Sequence, residues 1–379
     1  MYRIFYAEKD TTLYERFPEQ NTGIDEILEL TKNASGSKIE GKIRANTYNS
    51  RILIDFGTEI DAITSAVNSG KIPAISNHID SASVYLSLRS SDASDLIQQY
   101  NLEAYPLSES FAFGQGYKSD TPKTTRGASW YYRDSLETAT RWNSGSAHSK
   151  NLSKGASEKL GGGAWVTGSE YEASQSFNNQ VPDIRMNVTD IVNQWVIGDI
   201  SNHGFIIKRS VTDELSGDIL GSIKFFGRNS HTIFVPRLEV VWNNTTFTDT
   251  GSAEISADSY VPYFKNIKSE YRTSEISKFR IGVRPEFPTK TYTTESFYLT
   301  NNRLPTSSFY SIIDSVTNDI IIKYDNNGTR IDCDSNGNFF KLRMDSFMPE
   351  RYYKIELKIE RDGGDDIQTF DDFYFKVVN

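Results

Sequence analysis

Apolar residues in this chain come in short runs, separated by polar stretches rich in Ser, Asn, Gly and Asp. Residues 82–89 alternate: Val84, Leu86 and Leu88 point one way, while Ser83, Tyr85, Ser87 and Arg89 point the other. That period of two predicts a half-buried strand. Residues 48–56 are β-branched and aromatic and end at Gly57, and 204–209, 222–227 and 236–242 read the same way. Beyond residue 260, strand-like runs come at 318–324, 338–344, 351–359 and 370–378. They are joined at Asn326-Asn327-Gly328, Ser335-Asn336-Gly337 and Asp362-Gly363-Gly364. Asn and Gly accept the positive φ that tight hairpin turns require.

Helical signals are few. Thr58-Glu59-Ile60-Asp61 resembles a capping box, followed by Ile60, Ile63 and Val67 at helical spacing and closed by Gly70. Residues 188–196 place Val188, Ile191, Val192 and Trp195 on one helical face. The fold class expected is therefore all-β. A β-sandwich or barrel with one or two short helices is expected over 1–245, and a linker covers 246–260. A smaller immunoglobulin-like β-sandwich follows at 261–379. Residues 143–163, Ser- and Gly-rich, read as a long loop within the first sandwich, with an interdomain linker as the alternative. The boundary near 243–258 also divides composition: all five tryptophans precede it and the one cysteine follows.

Composition narrows the function classes. The 379 residues carry 41 basic and 50 acidic side chains, a formal charge of −9. Acidity argues against a nucleic-acid binder, which needs a basic face to displace phosphate counterions. The chain holds 22 Phe, 21 Tyr and 5 Trp, an aromatic content that excludes disorder as the main state and fits β-sandwich cores. Cys333 alone forms no internal disulfide. The N-terminus, with Arg3, Glu8, Lys9 and Asp10, lacks the apolar core of a signal peptide. No run of about 18 apolar residues predicts a membrane helix.

Chemistry-bearing motifs are scarce. His78, His148, His203 and His231 stand in no metal-ligand spacing. There is no Gly-x-Ser-x-Gly elbow. Gly70-Lys71 and Gly114-Gln115-Gly116 fall short of a P-loop and a dinucleotide fingerprint, and read as turn punctuation. Asp332-Cys333-Asp334-Ser335-Asn336-Gly337 matches the first six positions of a calcium loop, but position twelve is Arg343 where a bidentate glutamate belongs. A hairpin turn is the better reading. Asp183, Asp190, Asp199, Asp213 and Glu239 are glycosidase candidates only in the sense that a carboxylate pair is defined in space. Solvated loop acids, with a helix cap at Asp190, are the expectation. No catalytic, cofactor-binding or metal-binding residue is assigned, and no cofactor is expected.

Several of these segments, in order, resemble the DNRLRE-type jelly-roll domain of bacterial surface proteins and phage structural proteins. Asp10-Thr11-Thr12-Leu13-Tyr14-Glu15 with Pro18, Asn21 and Gly23 is similar to its first strand and Asn-x-Gly turn. Asn49-Ser50-Arg51-Ile52-Leu53-Ile54-Asp55-Phe56 resembles its Arg-bearing second strand, and Ser81-Ala82-Ser83-Val84-Tyr85-Leu86 a later one. Val188-Thr189-Asp190-Ile191-Val192-Asn193-Gln194-Trp195 resembles its helix. His203-Gly204-Phe205-Ile206-Ile207 and Pro236-Arg237-Leu238-Glu239-Val240 resemble its last strands. The resemblance covers about residues 10–242 and implies a helix face capping an open sandwich end, with Arg237 pairing to an acid at a strand edge.

The function expected is a non-enzymatic structural protein of a tailed-bacteriophage virion, a tail, neck or baseplate component made in the host cytoplasm. Its partners would be other virion proteins and copies of itself, with no nucleic acid and no membrane insertion. The alternatives are a carbohydrate-binding adhesin, with a host surface glycan as partner, and a carboxylate-dependent glycosidase.

Overall fold

The structure is a computed structural model that describes all residues except 40–41, 143–160, 179–180, 249–252, 289–301 and 365. The chain is all-β with three short helices and forms two compact units. The larger comprises Phe5–His78 and Ala82–Glu239; the smaller comprises Met1–Ile4, Ile79–Ser81 and Val240–Asn379.

The strands up to residue 241 are β1 (Tyr2–Tyr6), β2 (Lys9–Tyr14), β3 (Ile27–Ile39), β4 (Lys42–Asp55), β5 (Ser83–Leu88), β6 (Ser90–Ser94) and β7 (Gln99–Pro106). They continue with β8 (Tyr132–Asp134), β9 (Thr140–Arg141), β10 (Ala173–Asn178), β11 (Ile184–Asn187), β12 (Phe205–Arg209), β13 (Gly221–Phe226) and β14 (Arg237–Val241). One sheet runs β1-β14-β5-β11 and the other β10-β7-β12-β4-β3-β13-β6. β2 and β3 share one edge of β4: Lys9–Tyr14 lies against Ser50–Asp55, and Lys32–Ile39 against Lys42–Asn49.

The alternation of residues 82–89 appears as expected, with Val84, Leu86 and Leu88 buried on β5. β12 is instead buried at all five positions, including Lys208 and Arg209. The reason is that its outer face is covered. Register aligns Tyr105, Ile206 and Leu53 across β7, β12 and β4, and Leu13 of β2 stands beside them. These four pack under the largely irregular stretches 107–142 and 161–165, against Phe111, Trp130, Trp142 and Trp165.

α1 (Thr58–Asn68) buries Ile60, Ile63 and Ala66, so Ala66 takes the place expected of Val67. No capping box forms; the Thr58 amide donates to Glu8 Oε1 at 2.7 Å. α2 (Thr189–Ile197) buries Ile191, Val192 and Trp195 and ends at Gly198 with φ 79°. Asp190 is not its cap: the Asn187 side chain accepts from the Thr189 amide at 3.0 Å. A third helix, α3 (Val211–Leu215), was not anticipated; Ser210 caps it by accepting from the Asp213 amide.

The smaller unit holds β15 (Ala253–Glu254), β16 (Tyr260–Phe264), β17 (Glu270–Arg272), β18 (Ile276–Pro285), β19 (Asn302–Arg303) and β20 (Ser308–Asp314). It ends with β21 (Ile320–Ile322), β22 (Asp332–Asp334), β23 (Gly337–Arg343), β24 (Arg351–Arg361) and β25 (Asp366–Val378). One sheet runs β15-β19-β18-β23-β22 with β16 on β18, the other β17-β25-β24-β20-β21. Phe279, Phe340 and Tyr310 stack in its core. Ser335-Asn336-Gly337 and Asp362-Gly363-Gly364 turn hairpins. Asn326-Asn327-Gly328 does not, because β21 and β22 lie in different sheets. Nor do residues 246–260 form a free connector where described. The Thr246 and Phe247 amides bond Asp332 Oδ1, and Ile255 is buried with its amide on the Arg303 carbonyl.

Candidate functional site

Under the tryptophan-rich segment lies a network of buried charge. Arg51 of β4 is 2% exposed and donates through Nε and one terminal nitrogen to the two Glu214 oxygens, at 2.9 and 2.7 Å. Its other terminal nitrogen reaches the Gly162 carbonyl at 2.7 Å. The guanidinium also lies 4.9 Å from the Trp130 ring centre and 5.1 Å from that of Trp165. Such a fork matches carboxylate geometry and stacks on aromatic faces. Lys208, fully buried, donates to the Arg209 carbonyl at 2.6 Å and lies 3.4–3.5 Å from Glu103 and Glu214. Burial by itself would raise the Glu214 carboxyl, but Arg51 and Lys208 outweigh it and hold the group below its ordinary value. α3 presents Glu214 here, and Lys32 donates to the α3 carbonyls of Asp213 and to Ser216.

A second buried polar centre is Asn21, fully buried. Its Nδ2 donates to the Phe113 and Ala128 carbonyls at 3.0 and 2.8 Å, and its Oδ1 accepts from the Gly23 and Gly116 amides. A Cβ at Gly114 would lie 2.2 Å from Asn21 Oδ1, and one at Gly116 2.3 Å from the Asn21 carbonyl. Gly114-Gln115-Gly116 is therefore more than turn punctuation: these glycines admit the Asn21 side chain and backbone.

The five carboxylates weighed as glycosidase candidates occupy separate places. Asp183 accepts from Arg89 and Ser90, Asp190 from Asn77, and Asp199 from Tyr171. Glu239 accepts from Arg185 and from Arg237, so the implied Arg237 pairing is with its own strand. Asp213 sits in the first turn of α3. No hydrogen bond or ion pair described links any two of them. The calcium-like sequence is the β22–β23 hairpin. There Arg280 grips Asp334 at 2.8 and 2.9 Å and Lys278 holds it at 2.8 Å. These bonds keep the Asp334 carboxyl well below its ordinary value. His203 is half-buried, and burial lowers its pKa; His78 and His231 are exposed, and His148 lies outside the described residues. All five tryptophans are buried, at 6% exposure or less, so none is offered to a sugar.

Among the described residues a half-open groove of about 320 Å³ lies in the larger unit. Its floor is a two-by-two patch, Thr31 and Glu29 of β3 beside Ser222 and Lys224 of β13. Tyr14, Phe17 and Tyr48 contribute rings to its lining. Glu29 is buried and ion-paired with Lys118, while Lys224 pairs with Asp92 at 3.0 Å. Tyr14 and Asn49 are each 5% exposed. Asn49 Nδ2 donates to Glu15 Oε2 at 3.2 Å, which orients the amide, and Asn49 Oδ1 has no partner. The Tyr14 hydroxyl likewise makes no hydrogen bond of ordinary length. Burial, with Glu29 and Asp25 nearby, pushes that hydroxyl far above its usual range. The groove has no motif in the sequence, because its lining comes from segments between residues 14 and 224. Comparison with family models, curated proteins and solved structures finds no match.

Proposed function

We propose that this chain is a non-enzymatic structural protein of a tailed-bacteriophage virion, acting through contacts with neighbouring virion proteins and copies of itself. The observation that carries this reading is the edge strand β6. Ser90–Ser94 ends its sheet, is exposed at four of five positions, and reads Ser-Ser-Asp-Ala-Ser. It has neither the proline nor the lysine that commonly blunts an edge, and an open edge is a template for a strand of another chain. The resemblance to the phage jelly-roll domain points the same way. So does the commitment of buried charges such as Arg51, Glu214 and Lys208 to one another, which suits a rigid scaffold.

Mass spectrometry of purified particles tests it, with the chain expected at the stoichiometry of a structural component. Placing lysines on the edge, Ser91→Lys with Ala93→Lys, is expected to lower incorporation about tenfold while the isolated protein stays folded. Absence of the chain from particles overturns the reading.

A further inference from the structure

Beyond assembly, we infer that the groove over β3 and β13 is a binding site for a saccharide carrying a carboxylate, a uronic-acid unit. Three features carry this. The first is shape and surface. At about 320 Å³ the groove lies at the small end of ligand pockets, and it sets aromatic rings beside polar groups. A sugar ring has apolar C–H faces for Phe17 and Tyr48 and a hydroxyl rim for the patch of Thr31 and Ser222.

The second feature is unmet hydrogen bonding. A buried polar atom without a partner is costly, so native proteins rarely leave one unmet. Here Asn49 Oδ1 has no partner, and the Tyr14 hydroxyl of the same groove has only the Glu29 and Thr12 side chains beside it. Asn49 Oδ1 only accepts, since its amide nitrogen is held by Glu15, and the tyrosine hydroxyl donates or accepts. A hydroxylated ligand supplies complements to both. Inorganic phosphate offers an O–H at neutral pH but no apolar C–H face for the aromatic lining.

The third is charge. The lining carries Arg16, Lys118 and Lys224 against Glu29 alone, in a chain of net −9. Lys118 is neutralised by Glu29, and Lys224 by Asp92 at the rim. Arg16 is exposed and has no ion-pair partner among the described residues. Its guanidinium lies over the Phe17 ring, 5.4 Å from the ring centre, with Lys123 Nζ 5.1 Å from the same centre, so a carboxylate-binding fork and a second cation stand at this aromatic wall. An acidic sugar satisfies the cation and the Asn49 oxygen together; a neutral one leaves Arg16 unused.

The test is a titration of the full chain, followed by calorimetry and by NMR, with three probes: an alginate tetrasaccharide, cellotetraose and inorganic phosphate. Saturable binding of the alginate tetramer is expected, at least tenfold tighter than either other probe and weakened by salt. Arg16→Gln, a change at an exposed residue, and Phe17→Ala are each expected to lower that affinity tenfold or more with unchanged melting. Ser94 of β6 also lines the groove, so assembly and binding need separate readouts. Arg16→Gln should leave particle incorporation untouched. Absence of saturable binding, equal binding of cellotetraose or phosphate, or wild-type affinity in Arg16→Gln overturns the site.

Discussion

At the centre of the smaller unit, rings pack on rings. Tyr310 stacks on Phe340 at 4.2 Å, Phe340 on Phe279 at 5.2 Å, and Phe375 meets Phe279, Tyr271 and Phe347. Its charged pairs keep their cations partly exposed, as in Arg280–Asp334 and in Arg351–Asp314, where the carboxylate is buried. In the larger unit, under residues 107–142 and 161–165, indoles share the interior with two cations and a carboxylate, and an amide ties four backbone groups together. The difference follows from what each region covers. Paired strands satisfy their own backbone groups, so an aromatic filling suffices. An irregular segment laid over a sheet brings unpaired carbonyls with it, and Arg51 and Asn21 supply donors for Gly162, Phe113 and Ala128.

Several measurements would break or sharpen this contrast. Glu214→Ala leaves Arg51 and Lys208 buried without their counter-charge and should cost about 3–5 kcal/mol. Urea denaturation followed by tryptophan fluorescence reads it, since four of the five tryptophans lie in the larger unit. A loss below about 1 kcal/mol would remove the network from the account. Phe279→Ala should cost a similar amount, about 3–5 kcal/mol, through cavity formation. That loss should hardly change with salt or between pH 5 and 9; a strong dependence would contradict a purely apolar core.

Asp10 offers a pH test within the larger unit. It is fully buried, accepts from the Arg228 amide at 2.7 Å, and has one oxygen unpartnered; burial pushes its pKa up to about 7. A carboxyl whose folded pKa is raised binds its proton more tightly in the folded state. Its contribution is therefore most favourable below about pH 4, is lost as pH rises toward 7, and is constant above that. The full shift corresponds to roughly 4 kcal/mol. In Asp10→Asn the stability difference between pH 4.5 and pH 8 should shrink, and an unchanged difference would show that another group governs it. The smallest effect belongs to Asp334→Asn, which removes a partly exposed pair and should cost under about 1 kcal/mol. The Asp334 pKa is depressed, so its stabilisation is present above the unfolded value and fades as pH falls below it. Calcium should leave the melting temperature of wild type where it is; a rise would restore the calcium-loop reading.

Much of the fold was legible wherever burial is one-sided. β5, β13, β14, α2 and the β22–β23 hairpin all stand close to where periodicity and turn residues put them. The rest was hidden for identifiable reasons. β6 has no apolar residue larger than alanine, so no period marks it. α3 spans five residues, too few for a helical repeat. β12 gave a strand but not its meaning: nothing in residues 204–209 signals that Lys208 and Arg209 are buried along with both faces. The 318–324 run shrinks to Ile320–Ile322 because that strand pairs only with β20. The groove was least legible of all, since Arg16, Asn49 and Lys224 meet only through the splayed pairing of β2 and β3 along β4.

The glycines around Asn21 have a further consequence, for motion. Gly23, Gly114, Gly116 and Gly127 each stand so close to Asn21 or its neighbours that any side chain would collide. The backbone at 113, 116, 124 and 128 is fastened to that one residue. The cover therefore opens as a cooperative block rather than peeling from one end. Amides at these four positions should exchange with solvent at one shared rate, and a protease should find the bonds between them all protected or all exposed.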